Sequence, residues 1–162
     1  MSALEIVGRV ETVDLLDSIG ARGADLMPLW PVIHQSFLDG EKRRFDDEGP
    51  GWAPLAPSTV ARKGFATILV ETGALKASLT EDKAPGAVYR EMPDGLEMGT
   101  DYRSPRQGGR WASVALASFH QFGTRRMPAR PVIDAFDPYV ATWAPLLADY
   151  LTAGVVPEGV VA

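Results

Sequence analysis

One stretch near the carboxyl-terminal third constrains the fold of this chain most, and it reads FHQFGTRRMPARPVI from residue 119 to 133. It starts with aromatic and apolar residues, turns at Gly123, and then alternates arginines with Pro128 and Pro131. Because proline lacks an amide donor and fixes φ, the backbone there is predicted to be extended and non-helical. Such a cationic segment, without regular hydrogen bonds of its own, predicts an arm that lies on another surface. An ordinary solvated loop is the alternative interpretation.

The composition is that of a globular protein. The chain has 162 residues, of which 46% are hydrophobic and 23% charged, and this fits a single domain. It has no cysteine, which excludes disulfides, thiolate metal sites and a cysteine nucleophile and fits a reducing cytoplasm. No apolar run reaches the roughly 18 residues of a membrane span, and the first residues lack the basic and apolar regions of a secretory signal. We expect no membrane association.

Apolar periodicity predicts helices at both ends of the chain. From Thr12 a first helix is predicted, interrupted at Gly20 and Gly23, and residues 1–11 are predicted to form an arm or a short strand. A second helix has a longer apolar stripe: Leu26, Leu29, Trp30, Ile33 and Phe37. A last helix opens at Asp137 and has Pro145 inside it, which predicts a possible break. Residues 152–162 are predicted to form a flexible or docked tail.

Between the helices, residues 87–99 carry a hairpin signal, because Pro93, Asp94 and Gly95 favour a turn between alternating segments. The preceding prolines of residues 49–64 predict a structural loop that Trp52 and Leu55 hold against the core. We therefore predict one α+β domain over residues 1–162. In it, the amino-terminal helices and a carboxyl-terminal helix pack on a small antiparallel sheet with extended loops and arms.

Charge is segregated along the chain. The net charge is −5, which argues against wholesale nucleic-acid binding, yet the basic residues cluster. Residues 100–110 contain Arg103, Arg106 and Arg110 and are predicted to form a mobile loop. Such a loop on an acidic protein can contact nucleic acid or an acidic neighbour, and simple solvation explains it equally well.

Catalytic templates are missing from the sequence. It has no phosphate-binding glycine loop, no HExxH zinc motif and no GxSxG nucleophile elbow. Its two histidines, His34 and His120, lack acid spacing that would organise a triad. The acidic cluster from Asp46 to Glu48 is interpreted as a solvated helix end. We expect neither an enzyme, nor a cofactor, nor a bound metal.

Four blocks of residues follow one another in a recognisable order. The first is W-x-P-L-x-x-x-T-x-x-x-K from Trp52 to Lys63, and the second is I-L-x-x-T-G-x-L-x-x-S from Ile68 to Ser78. H-Q-F-G from His120 and P-A-R-P from Pro128 complete the set. In this order the chain, over residues 12–150, resembles the phage virion morphogenesis family. This family comprises the tail completion proteins of Mu-like and P2-like tailed phages and related siphophage neck proteins. The chain departs from the pattern at Leu116-Ala117-Ser118 and at Val132.

The resemblance implies a non-enzymatic virion component that acts in a ring, expected to be hexameric, at the head–tail junction. It implies assembly in the host cytoplasm, neck and tail proteins as neighbours, and DNA passing through the lumen. A subunit-interface arm is predicted at Phe122, Gly123, Arg125, Arg126, Met127, Pro128, Arg130 and Pro131. Arg103, Arg106 and Arg110 are predicted to face the lumen or a partner. The predicted structural anchors are Trp52, Leu55, Gly73, Leu75, His120 and Gln121.

Three other functions stay open from the sequence. A tail terminator ring that caps the tail tube is the nearest alternative to a tail completion protein. A small nucleic-acid-binding regulator would account for the arginines and would bind DNA in a strongly salt-dependent way. A hydrolase is the third, and the missing motifs disfavour it.

Overall fold

The computed structural model describes residues 8–49, 51–105, 113–133 and 137–156. In these residues the helices are α1 (Gly8–Ala24), α2 (Trp30–Asp46), α3 (Pro57–Lys63), α4 (Ala74–Thr80), α5 (Leu116–Phe122) and α6 (Asp137–Ala153). The strands are β1 (Ala87–Met92), β2 (Gly95–Thr100), β3 (Arg103–Pro105) and β4 (Ser113–Ala115). They form two antiparallel pairs, β1 with β2 and β3 with β4. The predicted α+β class is confirmed.

Helix α2 forms the centre of the hydrophobic core. Its apolar side chains recur at three- and four-residue spacing, which places them along one side of the helix. The buried apolar ones are Trp30, Ile33, Phe37, Leu38 and Phe45. The amino-terminal half of this stripe packs with Leu29 and Tyr150, and the carboxyl-terminal half packs with Trp52, Leu75 and Val132. Helix α2 thus packs against Tyr150 of α6 with its first half and against Val132 of the predicted arm with its second half.

Helix α1 differs from its prediction. It begins at Gly8, so residues 8–11 are helical and not an arm or a strand, and it continues through Gly20 and Gly23. Residues 1–7 lie outside the described residues. The Arg22 guanidinium donates from Nε to the carbonyl of Leu151 at 2.7 Å and from Nη2 to that of Thr152 at 3.0 Å. These contacts with the end of α6 offset the roughly 1 kcal/mol that each helical glycine costs.

Helix α6 also runs without the predicted break, from Asp137 to Ala153 through Pro145. Tyr139 and Leu146 are buried on either side of the proline, so packing holds the helix together across the lost hydrogen bond. Gly154 ends it, with φ of 68° and its amide donating to the Tyr150 carbonyl at 2.8 Å. Of the predicted tail, residues 157–162 lie outside the described residues.

The predicted hairpin is present. Met92 pairs with Gly95, so Pro93 and Asp94 form a two-residue turn. Two hydrogen bonds attach the turn end of the hairpin to the start of α2. The amide of Leu26, just before α2, donates to the Pro93 carbonyl at 2.8 Å, and Nε1 of Trp30, the first residue of α2, donates to the Met92 carbonyl at 2.7 Å.

The prediction of a mobile loop over residues 100–110 is wrong at Arg103. That residue lies in β3, where it pairs with Ala115, because the chain returns antiparallel as β4. Arg106 and Arg110 lie outside the described residues. The structure therefore gives a strand position to one of the three arginines predicted to face a lumen. Of the helices in the described residues, none combines the length and apolar character that crossing a bilayer requires.

Candidate functional site

Side chains of the same subunit hold the carboxyl-terminal end of the arm, which comprises residues 122–133. The Gln121 side chain accepts the amides of Val132 at 2.9 Å and Ile133 at 3.1 Å, and it donates to the Ile133 carbonyl at 2.8 Å. Trp52 Nε1 donates to the Pro131 carbonyl at 3.0 Å. A proline-containing segment has few backbone partners, and here two side chains supply them. Gln121 and Trp52 thereby fix where the arm re-enters the core.

Arg130 is the main departure from the predicted interface arm. Its side chain is only 4% exposed, and it donates from Nε to the Ala53 carbonyl at 2.7 Å and from Nη2 to the Pro54 carbonyl at 2.9 Å. Burial lowers the pKa of Arg130. Its side chain therefore holds the arm on the segment after Trp52 and is not available to a sister subunit, so the prediction for Arg130 is wrong.

The other end of the arm forms a compact turn. Thr124 and Met127 exchange backbone hydrogen bonds of 2.8 and 3.3 Å, and Gly123 precedes them at a φ of +71°. A Cβ at Gly123 would lie 2.8 Å from the backbone nitrogen of Ala129, so this position requires glycine. The turn leaves Arg125 and Arg126 exposed, and Phe122 beside it is 81% exposed. We call residues 122–127 the arm tip.

A groove of about 770 Å³ lies between the arm and the segment from the first proline block to α4. Four cationic side chains border it, against one carboxylate, that of Glu71: Arg62, Lys63, Arg126 and Arg130. Glu71 pairs with Arg62 at 2.7 Å. The apolar part of the lining includes Leu55, Leu69, Leu116, Phe119 and Met127. The groove is therefore both apolar and cationic, a lining suited to a ligand that carries apolar groups and carboxylates.

His120 lies in the groove wall at the base of the arm. Its carbonyl accepts the Arg130 amide at 2.7 Å, and its buried Nδ1 has no hydrogen-bond partner among the described residues. Burial, and next the charge of Arg130, lower the pKa of His120. His120 is thus bound to the arm through its backbone carbonyl.

The predicted anchors lie around this groove or behind it. Trp52 and Leu75 are buried in the core, and Leu55 is partly buried against it. Gly73 adopts a φ of 80° at the start of α4, a conformation that favours glycine. His120 and Gln121 hold the two sides of the arm base. The anchor residues, which are distant in sequence, thus lie around the groove or in the core behind it.

Sequence reasoning missed the basic wall of the groove. Arg62 and Lys63 belong to the segment interpreted as a purely structural loop, yet both line the groove in α3. Two adjacent basic residues shortly after Pro54 and Pro57 were the signal that the sequence offered. Within the part of the chain that the structure describes, no group of three or more histidine, aspartate or glutamate side chains could hold a metal ion.

Comparisons with family models, curated proteins and solved structures find no match to this chain. The geometry defines an α+β protein with a self-anchored arm, an exposed arm tip and a cationic groove beneath it.

Replacing Arg130 with methionine is expected to lower the free energy of unfolding by about 2–3 kcal/mol, since the carbonyls of Ala53 and Pro54 lose a charged donor. Arg130→Lys should recover only part of the loss, because an ammonium cannot reproduce the fork of the guanidinium. Urea unfolding followed by tryptophan fluorescence measures both. The matched control is Arg125→Met at an exposed position, expected to change stability by less than about 0.5 kcal/mol. Equal effects at the two positions would contradict the assigned role.

Stability is expected to fall as the pH decreases below 6.5. The folded chain holds His120 and His34 with lowered pKa values, mainly through burial, whereas the unfolded chain protonates both near 6.5. The unfolded state then binds more protons, so the free energy of unfolding is highest above 6.5 and decreases toward the folded pKa values. Urea unfolding at about pH 7.5 and pH 5.5 measures this before most carboxylates titrate. His120→Gln should remove part of the difference, and adding His34→Gln should remove most of the rest.

Proposed function

We propose that this chain is a structural component of a tailed-phage virion, a tail completion or head–tail joining protein that works as a ring of copies at the neck. It acts by positioning neighbouring proteins, without performing a reaction. Its partners are sister subunits and the adjoining neck and tail proteins, and its place is the head–tail junction.

The observation that carries this proposal is the arm itself. Its base is held by Trp52, Gln121 and Arg130, while its tip presents Phe122 and two arginines to the outside. An aromatic ring that is 81% exposed beside cationic side chains is typical of an interface with another protein. The base residues belong to three of the sequence blocks on which the family resemblance depends, so the resemblance and the geometry point to the same segment.

Labelled particles test the proposal directly. A small epitope fused after residue 162 in the phage or prophage that encodes this chain can be located on purified virions with gold-conjugated antibody. Label confined to the head–tail junction is the expected result, and particles that carry the untagged protein are the control. Label elsewhere on the particle, or a protein found only in the infected cell and never in virions, would refute the assignment.

A gene-inactivation experiment separates joining from other neck roles. Loss of a joining protein should give filled heads and complete tails that accumulate separately, and wild-type protein supplied in trans should restore joined particles. Tails of irregular length would instead indicate the terminator of the tail tube. Normal particles without this protein would contradict both virion roles.

A further inference from the structure

Helix α1 has an outward face that its own chain leaves uncovered in the described residues. Val13 is 48% exposed and Leu16, one turn further on, is 61% exposed. Asp14 and Asp17 are exposed beside them. Since residues three apart are neighbours on a helix, Val13 and Leu16 form an apolar stripe with carboxylates along its edge. We call these four residues the α1 face.

The contacts of α1 with the end of α6 lie at its carboxyl-terminal turn. Arg22 donates to the last carbonyls of α6, and Gly23 lies against Leu151, where a Cβ would be 3.8 Å from Leu151 Cδ2. One to two turns before this turn, all four residues of the α1 face are exposed. An apolar stripe with carboxylates along one edge of an outward helix face is the composition that docks into a groove of opposite charge.

The groove beneath the arm offers the complementary surface. It has an apolar lining around Leu55, Phe119 and Met127. Of its cationic side chains in the described residues, Arg130 binds backbone carbonyls and Arg62 pairs with Glu71, so Lys63 and Arg126 supply its excess positive charge. Arg126 stands exposed at the arm-tip side, where a carboxylate of an entering helix can reach it. The groove thus matches the α1 face in both apolar character and charge.

The two surfaces belong to different parts of the molecule. No residue of α1 or α6 contributes to the lining of the groove in the described residues, and α1 packs on α6. A contact between them across two copies is therefore heterologous, or head-to-tail. Each copy then keeps one free surface of each kind, so contacts of this type propagate until a ring closes.

We propose that the α1 face of one copy docks in the groove beneath the arm of the next copy. This inference rests on the proposed function and names the contact that builds the ring. A nucleic acid is the other ligand that a cationic groove can take, but the net charge of −5 repels DNA, while the chain itself supplies an acidic and apolar segment that fits.

Charge reversal tests the pairing. Arg126→Glu and Asp17→Arg, each alone, are expected to raise the dissociation constant for self-association at least about tenfold, because each places like charges together. Mixing the two variants should restore association, because the groove of each variant is opposite in charge to the α1 face of the other. The double variant, with both reversals in one chain, should therefore recover most of the wild-type affinity. Sedimentation equilibrium over a range of protein concentrations measures the constants.

Matched controls reverse exposed charges elsewhere. Arg43→Glu on α2 and Asp94→Arg at the hairpin turn should leave self-association unchanged within about twofold. Wild-type protein that stays monomeric at every concentration, or a double variant that associates no better than the single ones, overturns the inference. So does a result in which Arg126→Glu abolishes binding to a DNA duplex while Asp17→Arg leaves self-association intact.

Cysteine cross-linking locates the contact without charge reversal. The chain has no native cysteine, so Val13→Cys and Thr59→Cys can be made separately and treated with a short bismaleimide. Covalent dimers are expected when the two proteins are mixed and not when either is treated alone. Dimers from Val13→Cys alone would indicate a symmetric contact of α1 with α1 and would refute the proposed docking.

The proposed function and the inference can fail independently. Gold label at the neck together with protein that neither associates nor cross-links would remove the docking contact and leave the virion role. Cross-linking between α1 and the groove in a protein absent from virions would remove the virion role and leave the docking contact.

Discussion

Replacing Glu41 with alanine is expected to lower the free energy of unfolding by about 3–5 kcal/mol. Its carboxylate is fully buried, accepts the Tyr139 hydroxyl at 2.8 Å, and lies 3.4 Å from Nε of Arg44, whose side chain is 9% exposed. Burial, and next the charge of Glu41, raise the pKa of Tyr139. Removing the carboxylate leaves the Arg44 charge desolvated without this partner. Urea unfolding at pH 7.5, about one unit above the ordinary histidine pKa, measures the loss.

Two comparisons make this result specific. Glu97→Ala removes an ion pair with Arg90 in which both side chains are more than half exposed, and it should cost less than about 1 kcal/mol. The double variant Glu41→Leu with Arg44→Leu should be more stable than Glu41→Leu alone, because the Arg44 charge no longer stays buried without the Glu41 carboxylate. A double variant that is the less stable of the two would show that Arg44 stabilises the fold through contacts other than the one with Glu41.

Phe45→Ala is expected to destabilise the protein by about 3–5 kcal/mol, since it opens a cavity in the core. Phe45 is 2% exposed and meets Trp52 edge to face, with ring centroids 5.6 Å apart. Because Trp52 also holds the Pro131 carbonyl, the cavity should loosen the base of the arm. Thermal and urea unfolding measure the stability, and hydrogen exchange at the amides of Arg130, Val132 and Ile133 measures the loosening.

Phe122→Ala is the matched control for the core substitution. The same ring is removed at a position that is 81% exposed, so stability should change by less than about 0.5 kcal/mol. Under the proposed function this variant folds normally and yet joins fewer heads to tails. A large loss of stability from Phe122→Ala would mean that the arm tip is part of the fold and not an interface.

Local sequence signals predicted the elements that depend on local physics. The stripe from Trp30 to Phe37 predicted α2 because apolar spacing alone determines which side of a helix is buried. The turn at Pro93 and Asp94 predicted the hairpin because turn chemistry is confined to adjacent residues. The α+β class followed from these elements together.

The remaining errors concern interactions between distant residues. Gly20 and Gly23 predicted a break, but the binding of Arg22 to the end of α6, more than a hundred residues away, favours a continuous α1. Arg130 was predicted to belong to a subunit-interface arm, but it donates to the backbone carbonyls of Ala53 and Pro54. Every residue has a carbonyl, so no residue type in the sequence indicates these partners. The groove was missed for the same reason, since its lining brings together residues of α3 and of the arm that are distant in sequence.

The attachment of the arm base has a consequence for recognition. Pro131, Val132 and Ile133 are held by side chains, and Thr124 is bonded to Met127. Under the proposed function, the arm would therefore meet a partner already in its final conformation. Little conformational entropy would then be lost on binding. A small patch around the Phe122 ring could therefore hold a neighbour that a flexible segment of the same composition would release.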